Sequence, residues 1–355
     1  MTGLNLVPEF IDMDRERFIR EILPTRQPAI LKGAVAQWPA VALAKQSDDD
    51  VASYLKICDS GHPAQTLLGK PAIEGRFFYG DRIGTFNFTP GKVTIALAVD
   101  RILKQRGLAK PHAVYVQSAP VADHLPRFAE ENRLDFVDAA PRIWIGNQVH
   151  VQTHYDLYDN LACVVAGRRR FRLFPPEEVA NLYPGPLRRT LAGTPVSMAS
   201  LDDPDLDLHP RTVHAIASAQ VAELEAGDVL YIPYGWWHQV SSHAGLNVLI
   251  NYWWNDTPPT FGSPYLCLMH AALALRTLPL HQRATWKAMF DYYIFENQGD
   301  PVKHLQRPED REFFELSDPI ATAAWQRDLL AQLDAAGRPS AHLSPENESG
   351  DDIGA

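Results

Sequence analysis

Between His112 and Trp254 the apolar residues fall into a period of two, in short runs punctuated by Gly and Pro: Ala113–Gln117, Ile143–Val151, Leu161–Phe174, Val229–Ile232 and Leu246–Trp253. Successive side chains of a strand point to opposite faces, so this spacing belongs to sheets with at least one face in a core. Many short strands in succession then imply an all-β barrel or double sheet. The flanks carry a different period. Phe10, Phe18, Ile19 and Ile22 predict a helix within 9–23 that stops at Pro24 and Pro28, followed by a short strand at Ala29–Gly33. A further helix is expected over Asp50–Ile57. After Pro258-Pro259, Leu266, Met269, Leu273, Trp286, Met289, Phe290 and Tyr293 stand at three- and four-residue steps, the mark of helices. The expected organisation is an amino-terminal region of helices and strands (1–110) packing on the barrel, the barrel core (111–257), a helical segment (258–336) and a disordered tail (337–355) that is small, polar and acidic.

The 355 residues are 46% hydrophobic and 21% charged, enough to bury one large core or two modest ones. A formal charge of −10 repels phosphate backbones, so no nucleic-acid partner is expected. The run Arg168-Arg169-Arg170-Phe171-Arg172 is the local exception, and Arg168, Arg170 and Arg172 read more simply as a solvated face. Cys58, Cys163 and Cys267 are an odd, widely spaced set without a CxxC pair, which disfavours a disulfide framework or structural zinc and points to a reducing compartment. With neither a secretory pattern at the amino terminus nor an apolar run of membrane-spanning length, a cytoplasmic location is expected and no membrane partner.

The chemistry concentrates in two places. In Val151-Gln-Thr-His-Tyr-Asp156, His154 and Asp156 are two apart, so on a strand an imidazole and a carboxylate face the same way. In Gly227-Asp-Val-Leu-Tyr-Ile-Pro, followed by Trp236-Trp-His238, a turn and a strand lead to a second histidine that a suitable fold could bring alongside. Two histidines and a carboxylate on one face of a metal leave adjacent positions open, which suits Fe(II) that must chelate a keto acid and still admit dioxygen. An HxD pair alone occurs often by chance, as an ordinary strand pair.

As a set, His154-Tyr-Asp156, Asn160, Gly167-Arg-Arg-Arg-Phe-Arg-Leu-Phe-Pro-Pro176, Gly227–Pro233, Trp236-Trp-His238 and Asn251-Tyr-Trp253 resemble the JmjC-type cupin-like (cupin_8) oxygenases. Among these is the asparaginyl hydroxylase that acts on hypoxia-inducible factor. The resemblance implies a mainly β fold, the double-stranded β-helix (cupin or jelly roll), with flanking helices. It also implies Fe(II) held by His154, Asp156 and His238, with 2-oxoglutarate and dioxygen as co-substrates. Tyr115 matches a tyrosine that hydrogen-bonds the distal carboxylate of 2-oxoglutarate, and Asn160 and Asn251 match polar residues of its pocket. Two positions depart from the pattern: Arg169 stands where relatives carry lysine, and Val151 where they carry a hydroxyl residue.

Arg169 also stands out without any relative. In a strand from Val165 to Phe174, it shares the apolar face with Val165, Phe171 and Leu173. A buried guanidinium without a partner is costly, so it must meet an anion. A dicarboxylate co-substrate fits its fork; an internal Asp or Glu is the alternative. The expected reaction is hydroxylation of a protein side chain or small molecule with release of succinate and CO2. The alternatives are a zinc or manganese cupin isomerase, which HxD disfavours, and a non-catalytic binding protein of the same fold. A homodimer through residues 262–296 is expected, because these helices carry more apolar surface than an appendage hides.

Overall fold

The computed structural model describes residues 5–191, 193–256, 263–295, 299–311 and 319–337. They belong to two compact units, Met1–Asn255 and Asp256–Ala355. The first unit holds fifteen strands: β1 (Asn5–Leu6), β2 (Glu9–Phe10), β3 (Ala29–Leu31), β4 (Ala64–Gly69), β5 (Arg76–Phe77), β6 (Phe88–Val93), β7 (Ala113–Pro120), β8 (Pro141–Gly146), β9 (His150–Tyr155), β10 (Asp159–Ala166), β11 (Arg168–Phe174), β12 (Gln220–Glu225), β13 (Val229–Ile232), β14 (Trp237–Ser242) and β15 (Asn247–Trp254). They form a six-stranded sheet, β1-β12-β11-β14-β9-β5, and a nine-stranded one, β2-β3-β13-β10-β15-β8-β7-β4-β6.

From β8 to β15 the chain passes back and forth between the sheets. β8, β10, β13 and β15 lie in the larger sheet, and β9, β11, β12 and β14 in the smaller, with antiparallel pairing throughout this set. That winding is the double-stranded β-helix. Every residue of β10 is buried, because both faces of the larger sheet are covered. Ala162 and Val164 face Phe171, Leu224 and Val240 of the smaller sheet. Leu161, Cys163 and Val165 face a layer containing Phe18, Trp38, Leu55 and Ile102. A strand buried on both sides reads as a continuous apolar run rather than an alternation, which is how Leu161–Ala166 reads.

The helix Asp48–Cys58 begins where Ser47 Oγ accepts from Asp50 N (3.1 Å), with three aspartates in its positively polarised first turn. Two sequence expectations need correction. The amino-terminal helix does not span 9–23: Glu9–Phe10 is a strand beside β3, and the helix starts at Arg15, capped by Asp14. It widens to a π turn over Phe18–Ile22 and tightens to a 3-10 turn over Leu23–Thr25, where Pro24 offers no backbone N–H. The runs Ile143–Val151 and Leu161–Phe174 are each two strands, the second broken at Gly167 (φ +80°). Val165 and Arg169 therefore lie on strands of different sheets, although Arg169, Phe171 and Leu173 still share one buried face of β11. The outer arginines of β11 do form a solvated face, with Arg168 and Arg170 exposed and Arg172 partly so, and two of them are paired there. Arg170 pairs with Glu223 (2.5 Å) and Arg172 with Asp202 (2.8 Å) on neighbouring segments.

The second unit contains the helices Pro264–Leu275, Leu280–Tyr293, Pro308–Arg311 and Pro319–Gly337. No side chain of the first two is buried. Of the tail expected to be disordered, Gly337 ends the last helix and 338–355 lie outside the described residues.

Candidate metal centre and co-substrate pocket

His154 is in β9 and His238 at the start of β14, and the antiparallel register sets them directly opposite each other. Their ring centroids are 4.3 Å apart. Asp156 follows the end of β9, and its carbonyl accepts from Gly235 N (3.1 Å), which ties the loop before β14 to the loop after β9. The His238 Nε2–Asp156 Oδ2 separation is 3.6 Å, close to the ~3 Å of neighbouring ligands on one ion. Ligand atoms of all three residues lie within 4.8 Å of one another.

The imidazoles are oriented by the main chain. His154 Nδ1 lies 2.8 Å from Gln152 O, and His238 Nδ1 lies 3.1 Å from Trp236 O. A ring nitrogen facing a carbonyl must carry the proton, so each Nε2 is left with its lone pair. Burial, and then His154 beside it, push the His238 pKa down to about 4, with Asp156 opposing. The ring is therefore neutral near pH 7 and fit to bind a cation.

A cavity of about 460 Å³ opens over these residues, and its wall includes all seven sequence candidates: Tyr115, His154, Asp156, Asn160, Arg169, His238 and Asn251. Asn251 Nδ2 donates to Asn160 Oδ1 (2.7 Å) across the pair β10/β15. Arg169 is 1% exposed, the largest fully buried side chain among the described residues, and its Nε and Nη2 have no hydrogen-bond partner among them. Burial lowers its pKa, and the Tyr115 hydroxyl, which interacts with the guanidinium, opposes that shift. The Tyr115 hydroxyl is itself pushed up to about 12 by burial, against the pull of Arg169. Among the described residues no carboxylate pairs with Arg169, so the internal partner considered from sequence is not there. A buried cation with unsatisfied donors beside a cavity is a place for an anion.

The pocket also contains residues that the sequence reading did not single out. Gln117 follows Tyr115 by two positions and shares its wall, a relation that strand parity could have found. Arg142 could not have been found that way. A β-bulge in β7 puts Ser118 at φ +51°, and its Oγ and carbonyl both accept from the Arg142 guanidinium (2.6 and 2.5 Å), holding it at the cavity wall. Trp144 and Trp253 meet edge to face there (5.9 Å), and Tyr158 stacks on Trp253.

The chain matches the cupin-like domain family over residues 15–260. It is 28% identical over 273 residues to tRNA wybutosine-synthesizing protein 5 of Gallus gallus, covering 71% of this chain and 78% of that protein. It is 26% identical over 259 residues to lysine-specific demethylase 8 of Danio rerio, 70% of this chain and 58% of that protein. A shorter stretch of 132 residues is 36% identical to lysine-specific demethylase JMJ31 of Arabidopsis thaliana, 37% of this chain and 23% of that protein. With more than half its length matched and the winding and triad in place, the chain belongs to the JmjC-type cupin-like family.

Proposed function

We propose that this protein is an Fe(II)- and 2-oxoglutarate-dependent oxygenase. The observation that carries the reading is Arg169, a fully buried guanidinium with unsatisfied donors in the cavity that holds His154, Asp156 and His238. A sugar isomerase of this fold needs the metal but no buried fork for a carboxylate, and a retired binding protein needs neither. Arg169 thus favours the oxygenase over both.

His154, Asp156 and His238 would hold the metal, which when bound supplies the redox chemistry that splits dioxygen between succinate and the hydroxylated product. Arg169 and Tyr115 take the distal carboxylate of 2-oxoglutarate, the guanidinium by charge and the hydroxyl by donating its proton; burial keeps that hydroxyl protonated. Asn160 and Asn251 fix one another and the co-substrate's flank. Trp144, Trp253 and Phe171 wall the cavity and exclude water.

The substrate we infer is a protein side chain or small molecule. The similarity to a tRNA-modifying protein is a reason to include RNA among candidates, but the charge of −10 and the carboxylates paired to Arg170 and Arg172 disfavour it. A homodimer through 262–296 is supported by Leu273, Leu280, Trp286 and Met289, all exposed. Three unpaired cysteines, two of them buried, fit a cytoplasmic location, and no described helix is long and apolar enough to cross a membrane. The test is succinate formation from 2-oxoglutarate with added Fe(II), followed by mass spectrometry of host extract for a product heavier by one oxygen atom. Absence of succinate in the presence of Fe(II) and dioxygen overturns the reading.

A further inference from the structure

Beside the main cavity lies a smaller chamber of about 40 Å³. Tyr115, Gln117, Val151, His154 and Leu191 line both spaces, so the chamber adjoins the metal-site cavity across these side chains. Its back is Leu67, Phe77, Phe88 and Val196. Phe77 stacks on Tyr115 (5.8 Å, 23°) and meets Phe88 edge to face (5.4 Å, 84°), which makes the back wall a packed aromatic layer. Val196 is set there by an isolated antiparallel bridge to His154.

The polar groups at the chamber are mostly committed elsewhere. Gln152 Nε2 donates to Ser197 O (2.8 Å) and Ala199 O (3.1 Å). His154 Nδ1 is turned to Gln152 O, and the Tyr115 hydroxyl serves Arg169. Of the three metal-site residues His154 alone reaches the chamber, and Arg169 does not line it. Apart from the Gln117 amide, what faces the space is mostly hydrocarbon and ring surface. A buried water needs two to four polar partners, and an apolar cavity without them stays dry and takes apolar guests.

We propose that this chamber is a holding site for dioxygen next to the metal centre. Its volume suits a molecule of about two heavy atoms, its surface suits a nonpolar one, and it adjoins the main cavity on the His154 side, away from Arg169. The proposal rests on the oxygenase reading, which alone gives the site a use for dioxygen. An apolar side chain of the substrate is the competing occupant.

The experiment begins with crystals of the metal-free protein under xenon pressure, a readout independent of turnover. Xenon is expected between Leu67, Phe77, Phe88 and Val196. The variant Leu67→Phe, which adds a ring to the back wall away from the metal ligands, is expected to exclude xenon and to raise the KM for dioxygen at least fivefold. Its Kd for 2-oxoglutarate, measured anaerobically, should stay within twofold. Ordered water in the chamber, no xenon in the wild type, or an unchanged KM for dioxygen in a folded Leu67→Phe protein overturns the proposal, as does substrate density filling the chamber. Xenon seated in a wild type that forms no succinate at any dioxygen concentration overturns the oxygenase reading and the dioxygen assignment together. If Leu67→Phe does not fold, the wild-type xenon experiment still decides whether the chamber is dry.

Discussion

His154 and His238 are register partners across the antiparallel pair β9/β14, with Nδ1 of each ring turned to a main-chain carbonyl two residues earlier in its own chain segment. The two strands present the two lone pairs together, and Asp156 supplies the carboxylate at the strand end. His154→Ala, Asp156→Ala and His238→Ala are each expected to weaken Fe(II) by more than the roughly 10–100-fold that loss of an outer hydrogen-bond partner costs. Metal content after desalting, and calorimetric titration under anaerobic conditions, check this. Full 2-oxoglutarate turnover by any one of the three removes the assignment.

Arg169→Ala is expected to weaken 2-oxoglutarate by roughly 2–5 kcal/mol, the range for truncating one member of a buried charge pair, while Fe(II) binding survives. Arg169→Lys keeps the charge and loses the fork, so it should retain part of the affinity. Arg170→Ala, on the outer face with Glu223, should change little. The check is anaerobic binding of 2-oxoglutarate to each folded variant. A variant Arg169→Ala that unfolds, with normal co-substrate affinity in the folded fraction, would make Arg169 structural.

Acid should destabilise the metal-free protein through His238. Its folded pKa is held down to about 4 by burial and by His154, whereas an unfolded histidine titrates near 6.5. Between those values the unfolded state takes the proton that the folded state refuses, so stability is fully present above pH 6.5 and falls as pH drops toward 4. The loss from this group approaches roughly 3 kcal/mol at the lower end. Urea midpoints at pH 7.5 and pH 5 measure it, and His238→Gln should flatten the slope.

Gly167 turns the chain from β10 into β11 at φ +80°, and a Cβ there would sit 2.3 Å from Asn247 Oδ1 and 2.8 Å from Leu246 O. Gly167→Ala is expected to cost about 1–3 kcal/mol from the backbone conformation alone, with the clash in addition. Thermal unfolding of the variant tests this. A stability equal to wild type would show that the turn can relax.

Light scattering should give a particle of twice 39.7 kDa at micromolar concentration. Leu273 is 80% exposed and Leu280 77%, so the double variant Leu273→Glu with Leu280→Glu places charges on that apolar surface and should yield monomers. A wild-type monomer removes the dimer proposal.

The sequence by itself determined what depends on neighbours along the chain. Period-two runs marked the strands, HxD put His154 and Asp156 on one face, and the parity of Arg169, Phe171 and Leu173 put a guanidinium among apolar residues; these follow from strand geometry, which is local. The tertiary structure decided what depends on contacts between distant segments. It broke Leu161–Phe174 into strands of two sheets, because the turn at Gly167 is fixed by packing against Asn247. It also set His238 opposite His154, left Arg169 without a carboxylate, and used a bulge at Ser118 to hold Arg142 at the pocket wall. Even the reading of β10 as a strand buried on both faces needed the fold. A continuous apolar run fits a buried helix as well as a doubly covered strand, and only the second layer, packed from residues far away in sequence, distinguishes them.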